Sequence, residues 1–146
     1  MDGSPFRTIG TAVFFFLLGV AVLLDLVVVE GHSMAPAIHH DDRVLVHRSA
    51  YGLLVPIINV YAFTWNRPKS GDIIVFESPE NSRLVVKRVD SVLVETGTGR
   101  DLVTVLGENP EVSLDSRGYG TVPLSAVRGR VVRTFRPVRR SAIPSG

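Results

Sequence analysis

A run of 21 residues, 9–29, carries a single charge, Asp25, near its far end. Nothing else in this 146-residue chain limits the fold as strongly. As a helix rising 1.5 Å per residue it reaches about 31 Å, close to the hydrocarbon thickness of a bilayer. A cleaved leader is the competing reading. The apolar core of such a leader is ordinarily about 7–15 residues and precedes an A-x-A-type site; this run is longer and no such site follows it. We expect an uncleaved membrane anchor. Arg7 and the free amine precede it, while Glu30, Asp41 and Asp42 follow. That asymmetry favours a cytoplasmic N-terminus and a domain on the extracytoplasmic side. The expected organisation is a short tail over 1–8, a single-pass anchor over 9–29, one domain over 30–138 and a flexible tail over 139–146.

The remaining residues, roughly 115, are enough for one hydrophobic core. Cysteine is absent, which excludes disulfides, thiolate metal sites and a cysteine nucleophile. No metal or other cofactor is expected. A net charge of +2 gives no case for nucleic acid. Arg128, Arg130, Arg133, Arg136, Arg139 and Arg140 crowd the C-terminal end, either as a solvated strand and tail or as a contact for anionic membrane lipid.

Beyond the anchor, short β-branched runs alternate with turns. Residues 43–46, 72–76, 84–94, 102–106 and 128–135 read as strands. Segments 67–71, 77–83, 96–100 and 107–120 read as turns and loops, and no convincing helix follows the anchor. Residues 49–65 are nearly uncharged, with Gly52 and Pro56 breaking any long helix. They read either as short buried strands or as an aromatic surface dipping into the membrane interface. The pattern predicts a mainly β protein: an antiparallel coiled-sheet or barrel-like domain behind one transmembrane helix.

Residues 30–48, EGHSMAPAIHHDDRVLVHR, begin where the apolar run ends. Ser33 in this small, turn-prone stretch is a candidate nucleophile, and a hydroxyl needs a base to act as one. His32, His39, His40 and His47 crowd the same stretch, but no pattern marks one as that base. Lys87 lies in LVVKRV; strand alternation gives it the same face as Val85 and Val89. Two readings stand: a lysine snorkelling from a strand edge, or a desolvated amine of lowered pKa that takes a serine proton. In the SLDSR run, Ser113 could orient an amine. Asp115 and Arg117 could pair to fix a loop, or the run could simply cap it.

In order, the chain reads GHSMAP, AYGLLVP, PKSGDIIVF, VKRV and GENPEVSLDSRGYG. These motifs, behind an apolar segment and extending to about residue 131, resemble type I signal peptidase, the membrane-anchored Ser/Lys endopeptidase family. The resemblance implies that Ser33 is the nucleophile, Lys87 the general base, Ser113 the serine that orients the lysine, and Asp115 with Arg117 a structural pair. It implies an oxyanion hole built on the Ser33 amide, with Gly31 at the position where some members place a second, hydroxyl donor. Val29, Met34, Ile38 and Val86 would wall shallow pockets for small side chains. Substrates would be preproteins with N-terminal signal peptides. Ala37, Asp41, the segment 90–92, Glu108 and Pro110 depart from the family pattern. Alternatives are a maturation peptidase for one exported substrate, a LexA-like self-cleaving regulator, or an inactive membrane-anchored binding domain. Oligomeric state is not legible.

Overall fold

The computed structural model describes residues 5–55, 58 and 60–137. Residues 1–4 of the N-terminal tail, the C-terminal tail over 139–146 with Arg139 and Arg140, and the proline at position 56 lie outside the described residues. Helix α1 spans Pro5–Leu23. The expected helix over 9–29 therefore stops early. Leu24–Val28 is strand β1, paired antiparallel with β2, Arg43–His47, from Leu24↔His47 to Val28↔Arg43. An apolar run satisfies helix or strand equally well; here Val27 and Val28 favour a pleated surface, and the edge of β2 offers a backbone partner. Among the described residues no helix is long and apolar enough to cross a membrane. Ile9, Val13, Phe14, Phe15 and Phe16 on α1 are exposed.

The remaining strands are β3 Gly52–Val55, β4 Val60–Thr64, β5 Ile73–Glu77, β6 Leu84–Val94, β7 Asp101–Leu106, β8 Val122–Pro123 and β9 Val127–Phe135. Seven form one antiparallel sheet in the order β1-β2-β9-β5-β6-β7-β8, curled into an open half-barrel. The mainly β expectation holds. The loop over 107–120 contains one helical turn, α2, Ser116–Tyr119, and a 3-10 turn joins β8 to β9.

Alternation along the strands builds two apolar clusters. Ile74 and Phe76 join Val89, Val103, Val105, Val122 and Val127 in one. Val75 joins Val29, Met34, Ile38, Val44, Val46 and Val86 in the other. Each fully buried side chain of this kind contributes roughly 1.5–3 kcal/mol relative to exposure. β3 and β4 form a separate hairpin. Tyr51, at its base, is buried and donates to Asp72 Oδ2 at 2.9 Å, and Tyr61 OH donates to the Val127 carbonyl at 3.0 Å. Both residue faces expected of 49–65 are present: Tyr51 packs in the core, while Leu53, Ile58, Phe63 and Trp65 are exposed.

β9 lies between β2 and β5, and Gly129 is where it passes closest to β2. A Cβ there would stand 2.6 Å from the His47 carbonyl oxygen and 2.7 Å from Val46 Cγ1. Backbone cannot yield as a flexible side chain does. Gly129→Ala should therefore lower unfolding stability by roughly 1–3 kcal/mol, read as a shift of the thermal melt in detergent. An unchanged melt would mean that this crossing is looser than the geometry requires.

Candidate active site

The strand β6 brings Lys87 opposite Ile74 of β5, in the middle of an apolar face. Its side chain is only 3% exposed. Burial, the largest influence, pushes its pKa down from 10.5; Asp115 opposes that shift and Arg117 adds to it. Of the two readings of the sequence, the snorkelling lysine is not the one the fold adopts.

The amine is held from the loop over 107–120. Lys87 Nζ donates to Ser113 Oγ at 3.0 Å, and Ser113 Oγ donates to Asp115 Oδ2 at 2.7 Å. The Asp115 carboxylate is buried and also accepts from the Gly107 amide at 2.8 Å, from the Arg117 side chain at 2.8 Å and from the Arg117 amide at 3.2 Å. These donors, Arg117 foremost, hold its pKa far below the usual carboxylate range. A permanently ionised Asp115 accepts only, so the Ser113 hydroxyl must point its proton at Asp115 and its lone pairs at Lys87. Asp115 also N-caps α2 by accepting from the Arg117 amide. The pairing of Asp115 with Arg117 is thus bidentate and local, as read from the SLDSR run, and it fixes the rotor that faces the lysine.

Ser33 reaches the same place through its backbone. Its carbonyl accepts from the Asn109 amide at 3.0 Å. A Cβ on Gly107 would lie 2.7 Å from that carbonyl oxygen and 2.0 Å from Ser113 Oγ, so only glycine fits between the Ser33 turn and Ser113. The Ser33 side chain is half-buried, and among the described residues neither its hydroxyl nor its amide has a hydrogen-bond partner. No bond joins Ser33 Oγ to Lys87 Nζ among the described residues; hydrogen bonds of a reacting pair are often long before substrate arrives. Gly31 adopts φ 88°, in the left-handed region that favours glycine, and its amide donates to His40 Nδ1 at 3.1 Å. Its amide is therefore engaged with His40 in this conformation.

A cleft of about 170 Å3 opens beside Ser33. Residues 27–30 form one wall, residues 84–86 the other, and Val75 lies between them. β1 is the terminal strand of the sheet, and β7 begins to pair with β6 only at Arg88. Two strand edges without sheet partners among the described residues thus face one groove, the arrangement that receives an extended peptide. Of the four pocket residues anticipated, Val29 and Val86 line this cleft. Met34 and Ile38 lie in the core cluster beneath it, 2% and 1% exposed. The turn closes by bonding the Ile38 amide to the Met34 carbonyl at 2.8 Å, which turns both side chains inward.

Gly107 and Asn109 are site neighbours that motif reading passed over, and Glu108, read there only as a departure from the family pattern, is a third. Glu108 accepts from Arg88 Nε at 2.6 Å, and Arg88 NH1 donates to the Gly71 carbonyl at 2.7 Å. This ties β6, one residue past Lys87, to the loop that carries Ser113. The signal was present as GEN at the head of the last motif, but only the fold shows its partners. His32, His39 and His40 are exposed, and His47 is half-buried with Nε2 3.0 Å from Ser49 Oγ. Among the described residues no three of His, Asp and Glu converge as a metal site.

Residues 4–92 match the family model described as "Signal peptidase, peptidase S26". Signal peptidase I of Buchnera aphidicola subsp. Schizaphis graminum is 40% identical over 61 residues, which is 42% of this chain and 20% of that protein. The chain likewise covers 20% of its counterpart from the Baizongia pistaciae strain. A longer match is Signal peptidase I of Leptolyngbya laminosa, 26% identical over 173 residues, spanning 92% of this chain and 79% of that one. Mitochondrial inner membrane protease subunit 1 of Xenopus tropicalis is 29% identical over 143 residues, 84% of this chain and 77% of its own. With more than half its length in that family model, behind a turn-borne serine and a buried lysine, the chain belongs to the signal peptidase family, peptidase S26.

Proposed function

We propose that this protein is a membrane-anchored serine endopeptidase that removes signal peptides from exported preproteins by a Ser33/Lys87 dyad. The observation that carries this reading is Lys87: a buried amine whose one hydrogen-bond acceptor among the described residues is a hydroxyl, with an ionised carboxylate held behind that hydroxyl. Such an amine is driven toward its neutral form and can act as a base.

The chemistry follows from the side chains. One N–H of the neutral amine is committed to Ser113, which leaves the lone pair free to turn toward Ser33. Ser33 Oγ attacks the scissile carbonyl as Lys87 takes its proton. The developing oxyanion meets the unengaged Ser33 amide. Lys87 returns the proton to the departing amine, leaving an ester on Ser33. Water, losing a proton to the again neutral Lys87, attacks that ester and releases the product acid. Asp115, paired with Arg117 and bonded to Ser113, does not touch the reacting atoms; it sets the hydroxyl that sets the amine. Substrate lies as an extended strand between residues 27–30 and 84–86, where Val29 and Val86 leave room for small side chains at the positions before the bond.

The reading includes an anchor carried by α1, Pro5–Leu23, which takes in residues 9–23 of the apolar run. Its support is the exposed ring of Ile9, Val13, Phe14, Phe15 and Phe16, an apolar surface of a kind that soluble monomers rarely leave in water. The N-terminus is then cytoplasmic and the sheet extracytoplasmic, at the depth where a membrane-inserted preprotein presents its cleavage site. Preproteins and membrane lipid are the partners; the reaction draws on no metal or cofactor.

Three outcomes are expected. Ser33→Ala and Lys87→Ala each lower kcat on a preprotein by roughly 10³-fold or more while the thermal melt stays cooperative. Full cleavage by either purified variant would sink the dyad, and cleavage by neither variant nor wild type would favour a binding domain. Next, since the protonated amine cannot accept a proton, kcat/KM should rise with pH through one deprotonation whose midpoint lies below 10.5. A midpoint at or above that value would argue against a desolvated base. Finally, the full chain should remain in the pellet after alkaline carbonate extraction of membranes, and a variant with Phe14, Phe15 and Phe16 replaced by Lys should not. Release of the wild-type chain would remove the anchor from the proposal.

A further inference from the structure

The loop that carries Ser33 is closed on itself. The Val29 amide donates to the Asp42 carbonyl at 2.8 Å and the Asp41 amide to the Val29 carbonyl at 2.9 Å, so residues 30–40 form a loop with joined ends. Inside it one side chain links the two arms. The Gly31 amide donates to His40 Nδ1 at 3.1 Å. That nitrogen accepts only while it carries no proton, so the neutral ring holds its hydrogen on Nε2. Nε2 lies 3.4 Å from Asp41 Oδ1. Asp41 has φ 69°, a conformation uncommon outside glycine. Its left-handed backbone turns the carboxylate back toward the ring that precedes it.

We propose that His40, oriented by Asp41, is a positioning residue for the nucleophile: it clamps the Gly31 amide and keeps the turn two residues before Ser33 in one conformation. This rests on the reading of Ser33 as nucleophile given above. The groups around His40 are the His32 ring, 5.7 Å away centre to centre, and Asp41; His39, Asp42 and Arg136 line the adjoining cavity with His40 and Asp41. Asp42 is buried and already accepts from the His39 amide at 2.9 Å. Asp41 is therefore the carboxylate that meets the ring.

The test uses the full chain, ¹⁵N-labelled, in detergent micelles. The Gly31 amide shift and its exchange protection factor are measured beside kcat and KM on a peptide with small residues before the bond. His40→Ala should lose the protection and lower kcat about fivefold with little change in KM, as for one lost hydrogen bond. His40→Asn carries an acceptor near the place of Nδ1 and should restore both protection and kcat. A Gly31 amide unchanged in His40→Ala would overturn the proposal; so would protection or kcat that His40→Asn fails to restore. If the wild type cleaves nothing, the peptidase reading fails, and the Gly31 amide still decides the clamp.

Discussion

A lysine amine buried without a carboxylate against it is the constraint from which the rest of the site follows. Moving a charged ammonium out of water costs several kcal/mol after relaxation. A direct Asp or Glu partner would lower that cost and hold the proton on. Here the partner is Ser113, which stabilises the amine without supplying charge. Asp115 stands one hydroxyl further away and pulls the Lys87 pKa upward, yet Arg117 opposes it and burial outweighs it. The Asp115–Arg117 pair therefore has two effects on one amine. It points the Ser113 hydroxyl, and its arginine offsets part of the field with which Asp115 would keep Lys87 protonated.

The sheet supplies the rigidity that such an arrangement needs. β5, β6 and β9 lie side by side near its middle, so Lys87 is held by a register rather than by a loop. Ser33 and Ser113 instead come from loops, and each is tied back to that frame. The loop with Ser113 is fixed to β6 through Arg88 and Glu108 and to the Ser33 turn through Asn109. Glycine at 107 lets the two loops touch, because any side chain would occupy the space shared by Ser113 and the Ser33 carbonyl. The same sheet leaves two edges open among the described residues: β1 has no second partner, and the first half of β6 has none on the side of β7.

Much of this was legible from residues alone. β-branched runs between turn signals located β2, β5, β6, β7 and β9 to within a residue or so at most ends, because period and composition are local properties, but not β1 or the two-residue β8. The SLDSR run announced a loop-fixing pair, and a two-residue spacing between Asp115 and Arg117 needs no tertiary contact to form it. Three features were not legible. The apolar run over 9–29 reads as uninterrupted helix, yet β2 recruits its last residues as β1. Met34 and Ile38 look like pocket walls beside a nucleophile, yet the backbone of their turn directs them into the core. His40 faces solvent, as its place in the sequence suggests, but only the closing of 30–40 onto itself brings its ring to the Gly31 amide.

The sequence by itself determined the chemistry on offer: a serine in a small-residue turn, a lysine among valines, a hydroxyl and an Asp–Arg pair near the end, no cysteine, and an apolar run of bilayer length. It also determined a mainly β domain, since strand periodicity is written residue by residue. Tertiary structure alone decided that Lys87 is desolvated, that Ser113 and not a carboxylate holds it, and that the Ser33 turn meets the Ser113 loop across Gly107. Burial and partner identity depend on residues 20 to 80 positions apart in the chain, and no local pattern encodes the distance at which two loops come to rest.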